Sequence, residues 1–505
     1  MSEDKALLEG WAETTLKNVL PIQYGKGLVE AHRDKDGHVP VYGSSGLVGF
    51  HNQPLTSKAT LVIGRKGSVG SVYYSPVPCW PIDTTYFVEE NDSVNLKFFL
   101  HLLLFLRLGQ FDKSTAVPGL SRDDYNAVTV KIAPLPEQHR IVSAIEQQFS
   151  RLDAGVAALQ RAKAKLKRYR AAVLKAAVEG KLTETWRAEH PTTEPASQLL
   201  ERILKERRAK WEADLGAKGK DPVKVKYVEP VAADIENLPG LPRGWCWVSV
   251  EQIGRVQLGR QRAPQHHNGK FMRPYLRVAN VFEDYIDTSD VMTMNFTPEE
   301  YETYRLKYGD ILLNEGQSLE LIGRPAIYRD EVPGACFQNT LVRFSAYSSL
   351  MPEYALTVFR VYLHTQKFQH IGKHTTNIAH LGAGRFAILE FPLPSLAEQK
   401  QIVAEVERYL SLISQLEVTV DANLKRSERL RQSILREAFA GRLVPQEPTD
   451  EPASVLLERI RNERNNQKNN IEASNKKSRS IKLPESVAID VVDAEQVELW
   501  ESVGN

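Results

Sequence analysis

The glycine-rich stretch Gly64-Arg65-Lys66-Gly67-Ser68-Val69-Gly70 is the first place where residue types suggest chemistry. A nucleotide loop aims successive backbone N–H groups and a lysine at phosphate. That requires a GK[ST] ending or a G-x-G-x-x-G spacing, and this stretch has neither. It reads as a tight turn able to touch a phosphate, not as a nucleotide site. Of twelve histidines only His266 and His267 are adjacent, and they read as a solvated loop rather than a metal site. Cys79, Cys246 and Cys336 are too far apart for a local metal motif. No HExxH or GxSxG pattern occurs, nor an Asn-Pro-Pro-Tyr or Asp-Pro-Pro-Tyr element to present a flipped base for methylation. The expectation is a chain with no catalytic residue, no metal and no cofactor of its own.

Charge is more informative where it is local. The net charge is only +2, yet between Gln252 and Asn280 six basic residues (Arg255, Arg260, Arg262, Lys270, Arg273 and Arg277) stand with no Asp or Glu among them. Gln261, Gln265, Asn268, Tyr275 and Asn280 are interleaved. Arginine, asparagine and glutamine make bidentate contacts to base edges, while lysine and arginine hold the phosphate backbone. A smaller cluster earlier in the chain combines Lys58, Arg65, Lys66 and Ser68 with Tyr42, Ser44 and Ser45. Both are candidate DNA-binding surfaces. The alternative for each is an ordinary solvated face.

Elements must hold these clusters in place, and the chain supplies them twice. Glu137-Gln138-His139-Arg140-Ile141-Val142 returns 261 residues later as Glu398-Gln399-Lys400-Gln401-Ile402-Val403. The match runs without a gap to Gly180-Lys181-Leu182 and Gly441-Arg442-Leu443. Glu194-Pro195-Ala196-Ser197 recurs as Glu451-Pro452-Ala453-Ser454, and Gly10-Trp11 has a counterpart in Gly244-Trp245. Each half is one variable globular block followed by one similar helical block.

In the first helical block Ile141, Ile145, Phe149, Leu152, Val156, Leu159, Leu166, Tyr169, Val173 and Ala177 advance mostly by threes and fours, the spacing of an apolar helical seam. Ile402, Val406, Leu410, Ile413, Val420, Leu430, Ile434 and Ala438 repeat it. Ser395-Leu396-Ala397-Glu398 fits a capping box at the start of the second helix. About 40 such residues span roughly 60 Å at about 1.5 Å each. Neither seam is stable in water alone, so the two helices are expected to cover each other as an antiparallel coiled coil with the globular blocks at opposite ends.

The blocks themselves read as α/β. Leu61-Val62-Ile63 and Ile311-Leu312-Leu313 are expected as buried strands, with one packed helix per block near Phe98 to Leu106 and Tyr354 to Tyr362. The charge-rich stretches Lys205 to Lys226 and Arg459 to Lys482 are expected as helix ends or flexible tails. Met1 to Gly10 lacks the apolar core of a secretory signal, and the run Phe98 to Leu106 is about half the length that crosses a bilayer. The expectation is a cytoplasmic protein with no membrane segment.

In order and duplication these pieces resemble the specificity subunits of Type I restriction-modification systems. The resemblance is carried by Gly10-Trp11 and Gly244-Trp245, Val41-Tyr42-Gly43-Ser44-Ser45-Gly46, Pro274-Tyr275-Leu276-Arg277-Val278-Ala279-Asn280-Val281 and Gly309-Asp310-Ile311-Leu312-Leu313. The paired helix starts Pro134-Leu135-Pro136-Glu137-Gln138 and Pro392-Leu393-Pro394 through Glu398-Gln399 belong to it as well. It implies a mixed α+β chain divided as follows: a target-recognition domain over 1–136, a helical region over 137–215, a linker over 216–240, a second recognition domain over 241–394, a second helical region over 395–465 and a charged tail over 466–505. It implies a non-catalytic reader of a bipartite double-stranded DNA target. The partners implied are two methyltransferase subunits, which use S-adenosylmethionine, and restriction subunits, which use ATP and Mg2+. Because Ile63-Gly64-Arg65-Lys66-Gly67 stands where the second domain has Leu313-Asn314-Glu315-Gly316, the two half-sites are expected to differ. The competing reading is a coiled-coil adaptor that binds no specific DNA.

Overall fold

The computed structural model describes residues 7–34, 36–111, 119–374 and 379–479. The chain forms two compact units, Met1–Val156 with Lys425–Asn505, and Ala157–Leu424. Each unit therefore holds one recognition domain, part of each long helix and one shorter helix.

The two recognition domains share one topology. In the first, an antiparallel sheet is ordered Gln23–Tyr24, Thr85–Glu89, Thr60–Gly64, Val72–Ser75; in the second, Gly254–Leu258, Leu341–Ala346, Ile311–Asn314, Pro325–Ile327. The central strands are those expected from sequence: Leu61, Val62 and Ile63, like Ile311, Leu312 and Leu313, are fully buried. Apolar side chains on both faces place these strands between layers. A second sheet of three strands mixes an antiparallel and a parallel pairing in each domain, Val39–Gly43 with Trp80–Pro81 and Met272–Leu276 with Cys336–Phe337 being the parallel ones. Helices Leu96–Leu106 and Pro352–His364 are the packed helices of the two blocks.

The long helices run Leu135–Val178 and Leu396–Phe439. Their paired residues in the second unit step forward on one helix as they step back on the other. Arg431 meets Asp153 in the first unit; in the second, Lys163 meets Asp421 at 2.7 Å and Arg170 meets Ser414 at 3.2 Å and Glu417 at 2.9 Å. The pairing is antiparallel. Ile141, Ile145, Val173, Ile402, Val406, Ile413, Val420 and Ile434 are buried in the seam, and Leu152 and Leu159 are half-buried.

Three details differ from the sequence pattern. Tyr169 and Leu430 are about half exposed, whereas Leu174 and Leu435, outside the expected seam, are completely buried. Towards its C-terminal end each helix packs on a recognition domain as well as on its partner helix, so the buried arc widens beyond one seam. At Ser395 only half of the capping box forms: its hydroxyl accepts from the Glu398 N–H at 3.1 Å, while the Glu398 carboxylate turns to other partners. The stretch from Arg459 is helical as far as Arg479, past the expected start of the tail at 466, and residues 480–505 lie outside the described residues.

Both long helices stop at a glycine. Gly180 and Gly441 have φ of 67°, in the left-handed region that other residues occupy at a cost, and the following N–H groups reach back to Ala176 and Glu437. A Cβ on Gly180 would lie 2.6 Å from the Arg187 guanidinium, and one on Gly441 2.0 Å from Leu8. The chain then turns into helices Ala196–Ala217 and Ala453–Arg479. Ala196 N–H donates to Gly244 carbonyl in the second unit, and Ala453 N–H to Gly10 carbonyl in the first, both at 2.8 Å.

Candidate nucleic-acid interface

Where the central strand Thr60–Gly64 ends, three loops converge. The N–H groups of Arg65 and Lys66 both donate to the Thr84 carbonyl, at 2.9 and 3.2 Å. The Arg65 guanidinium donates to Asp83 carbonyl at 2.8 Å and lies over the rings of Tyr24 and Tyr86. Ser44 is tied in from the other side: its N–H donates to Thr84 Oγ1 at 3.4 Å and its carbonyl accepts from Ser71 Oγ at 2.5 Å. This network holds the backbone and leaves Ser45, Lys66 and Ser68 exposed along one rim, with Tyr42 half-buried against Tyr73 beneath them. Lys58 does not belong to this rim. It precedes the opposite end of the strand, roughly 15 Å away at about 3.3 Å per residue, beside Tyr74, Glu90 and Glu146.

The second domain builds the same end from different chemistry. Glu315 N–H donates to Thr340 carbonyl at 2.9 Å and Val278 N–H to Thr340 Oγ1 at 3.1 Å, repeating the roles of Arg65, Ser44 and Thr84. Leu381 N–H donates to Glu315 carbonyl as Leu120 N–H does to Arg65 carbonyl. The threonine pair was missed in the sequence; its signal was a polar-threonine step, Asp83-Thr84 and Asn339-Thr340, just before a buried strand in both domains. Where the first domain puts Arg65, the second puts Glu315 paired with His380 at 3.0 Å. The two surfaces differ in charge.

The long basic stripe divides into distinct roles. Arg260 is buried: Glu300 takes two of its N–H groups at 2.7 and 2.9 Å, His266 lies 3.1 Å away, and Phe296 covers its face. Tyr275 is buried in a small apolar cluster with Met294 and Phe296. Asn280 is also buried, donating to the carbonyls of Asp287 and Asp290 and accepting from Arg277 N–H, while the Arg277 guanidinium pairs with Asp290. Of these four residues expected at the DNA surface, Arg260, Tyr275 and Asn280 are buried and engaged inside the domain, while Arg277 is half-buried beside the exposed Asp290. Arginine and asparagine serve carboxylates and carbonyls inside a domain with the same donors they would offer a base edge, so sequence alone does not separate the two uses. Gln261, Arg262, Lys270 and Arg273 are exposed, with Arg273 lying 4.6 Å from the Tyr301 ring. Arg255, at the far end of its strand from Arg260, belongs to a different groove. Among the described residues no cluster of His, Cys, Asp and Glu could hold a metal ion, and no helix is long and apolar enough to cross a membrane.

The recognition domains are seated by matching contacts. Trp11 Nε1 donates to the Glu137 carboxylate at 3.1 Å and Trp245 Nε1 to Glu398 at 2.8 Å, each clamping a domain's first strand to the start of the long helix that follows it. Glu398 also accepts from Thr183 at 2.7 Å and Arg187 at 2.9 Å. Among the described residues Glu137 has Trp11 as its hydrogen-bond donor, and burial pushes its carboxyl above the usual range despite that bond.

Comparison with known proteins places this double architecture. The family described as the Type I restriction modification DNA specificity domain matches twice, over residues 8–166 and 242–426. The specificity subunit of the Type I restriction enzyme EcoKI from Escherichia coli K12 is 25% identical over 368 residues, 71% of this chain and 68% of that one. The EcoDI specificity subunit of Escherichia coli is 23% identical over 476 residues, covering 90% and 95%. A solved structure concerned with complex assembly and conformational transition of the type I R-M system has a chain with the same fold, with a TM-score of 0.52, 15% identity, and coverage of 87% of this chain and 100% of that one. A family match over each domain and most of the helix after it does not favour the adaptor reading. The chain belongs to the Type I restriction-modification DNA-specificity family.

Proposed function

We propose that this chain is the non-catalytic specificity subunit of its complex, and that the loop ends of its two recognition domains read the two halves of a split DNA target. The observation that carries this is the repeated loop end, locked by Thr84 in one domain and Thr340 in the other, with Arg65 exchanged for Glu315. One backbone frame thus carries Arg65 in one domain and Glu315 in the other, and beside the second lock the Asn339 N–H donates to Arg260 carbonyl at 3.0 Å, tying in the exposed segment that starts at Gln261. Ser45, Lys66 and Ser68 are the contacts proposed for one half-site, and Gln261, Arg262, Lys270 and Arg273 for the other, with lysines on phosphates and the arginines and glutamine on base edges.

Methylation and cleavage chemistry then belong to other subunits. S-adenosylmethionine is assigned to two methyltransferase subunits, and ATP and Mg2+ to restriction subunits, all in the cytoplasm. Leu412 and Leu416 lie one turn apart on the second long helix, are about half exposed and offer an apolar strip for such a partner. The test is binding by the assembled methyltransferase complex to duplexes mutated in one half-site at a time. Arg262→Ala is expected to relax discrimination at a single half-site by about 1–3 kcal/mol. Equal loss at both halves contradicts the assignment.

A further inference from the structure

The first unit contains an open groove of about 1040 Å³ between helix Ala453–Arg479 and the recognition domain. Lys17, Arg122, Arg461 and Arg464 line it against Asp123 and Glu458. Arg464 gives one N–H to Lys17 carbonyl at 3.0 Å, but its other terminal nitrogen is buried without a partner among the described residues. An unmet guanidinium donor beside a large groove is costly unless something occupies the space.

The second unit shows what occupies the equivalent place. Its groove lies between helix Ala196–Ala217 and the second recognition domain, with Arg207 at the position of Arg464 and Glu251 at that of Lys17, and it retains only about 270 Å³. The linker after that helix runs through it. Arg207 donates to the Tyr227 hydroxyl and, at 3.1 Å, to Val228 carbonyl. Val231 N–H donates to Glu251 at 2.8 Å, and Val231 carbonyl accepts from Ser249 Oγ at 2.6 Å. The Tyr227 ring packs 5.0 Å from Trp211.

The chain writes that linker a second time. Lys226-Tyr227-Val228-Glu229-Pro230-Val231-Ala232-Ala233-Asp234-Ile235 is repeated as Lys482-Leu483-Pro484-Glu485-Ser486-Val487-Ala488-Ile489-Asp490-Val491, with five of ten residues identical. The distance along the chain from Arg464 to Leu483 matches that from Arg207 to Tyr227 within one residue. Charge fits as well. Residues 480–505 carry six acidic residues against Lys482 alone, and the first unit's groove has gained Lys17, Arg122 and Arg461 where the second has Glu251, Ala383 and Leu204.

We propose that residues 481–491 dock in the basic groove of the first unit, as residues 225–235 do in the second. Val487 takes the place of Val231, with Thr15 standing where Ser249 stands, and the acidic side chains of the segment meet Lys17, Arg122 and Arg464. The terminal segment then does by docking what the linker does by direct connection: it ties the shorter helix to the recognition domain packed on it.

Amide hydrogen exchange on the full chain, compared with a chain ended after Arg479, tests this. Deleting the segment is expected to speed exchange in residues 14–22 and 457–465 about tenfold, the ratio for a groove closed about nine-tenths of the time. Glu485→Lys in the full chain should reproduce part of that loss, and Lys17→Glu combined with Glu485→Lys should restore protection, which general unfolding would not. Equal exchange in the full and shortened chains overturns the proposal. So does protection that arises only when duplex DNA or a methyltransferase subunit is added, since either would then be the occupant.

Discussion

His101 interrupts the apolar helix Leu96–Leu106 and is buried edge-on against Phe149, with both ring nitrogens lacking hydrogen-bond partners among the described residues. Burial, aided by Lys97 and Arg431, lowers its pKa to about 4. A depressed folded value means that the neutral ring contributes stability fully above the unfolded value near 6.5, and that this is lost as pH falls towards 4. Up to about 3 kcal/mol is at stake. His101→Leu should flatten the loss of stability between pH 6.5 and 4 in denaturant titrations; an unchanged slope contradicts this account. Arg260 makes a contrasting case. Arg260→Ala should cost about 2 kcal/mol of folding stability, because it leaves Glu300 beside an apolar cluster without its cation. Arg262→Ala should cost less than about 0.5 kcal/mol, as an exposed side chain. Thermal melts separate the two, and similar losses would return Arg260 to the exposed stripe. The sequence shows six cations without an acid in their own segment, but Glu300 and Asp290 lie outside that segment, so its pairing could not be read from it.

Between the residue and the domain, the paired Trp–Glu clamps differ in how much they carry. Glu398 satisfies three donors, so Glu398→Ala leaves Trp245, Thr183 and Arg187 facing a buried gap, at a cost of about 3 kcal/mol or more. Glu137 meets Trp11 with its charge opposed by burial, so Glu137→Gln should cost under about 1 kcal/mol. Unfolding of the two variants in urea checks the order, and a larger loss for Glu137→Gln contradicts it. The long helices, their repeat and the central strands were legible in the sequence because apolar spacing alone determines them. Exposed Tyr169 and Leu430 and buried Leu174 and Leu435 were not, because the arc that each helix buries depends on the domain packed against it, which one helix's periodicity does not encode. Of the candidate site, the residues of the first loop end were legible as a cluster apart from Lys58, which lies at the other end of the strand; the Thr84 lock of the first domain and the Thr340 lock of the second each required two distant loops to be seen together.

For the molecule as a whole, duplication is the organising fact. One recognition domain, one long helix and one shorter helix occur twice, and the ungapped match between the long helices suggests that their length sets the spacing between the two half-sites. Inserting four residues at equivalent points of both helices should lengthen the unread gap, and an unchanged gap would sink that idea. Expressing the chain with a Type I methyltransferase subunit and mapping methylated adenines across a genome tests whether the chain reads DNA in two parts. A single split motif, two short dissimilar sequences around a fixed unread spacer, is the predicted result. Methylation with no common motif, or a motif of one continuous block, would contradict the reading of this chain as a two-part DNA reader.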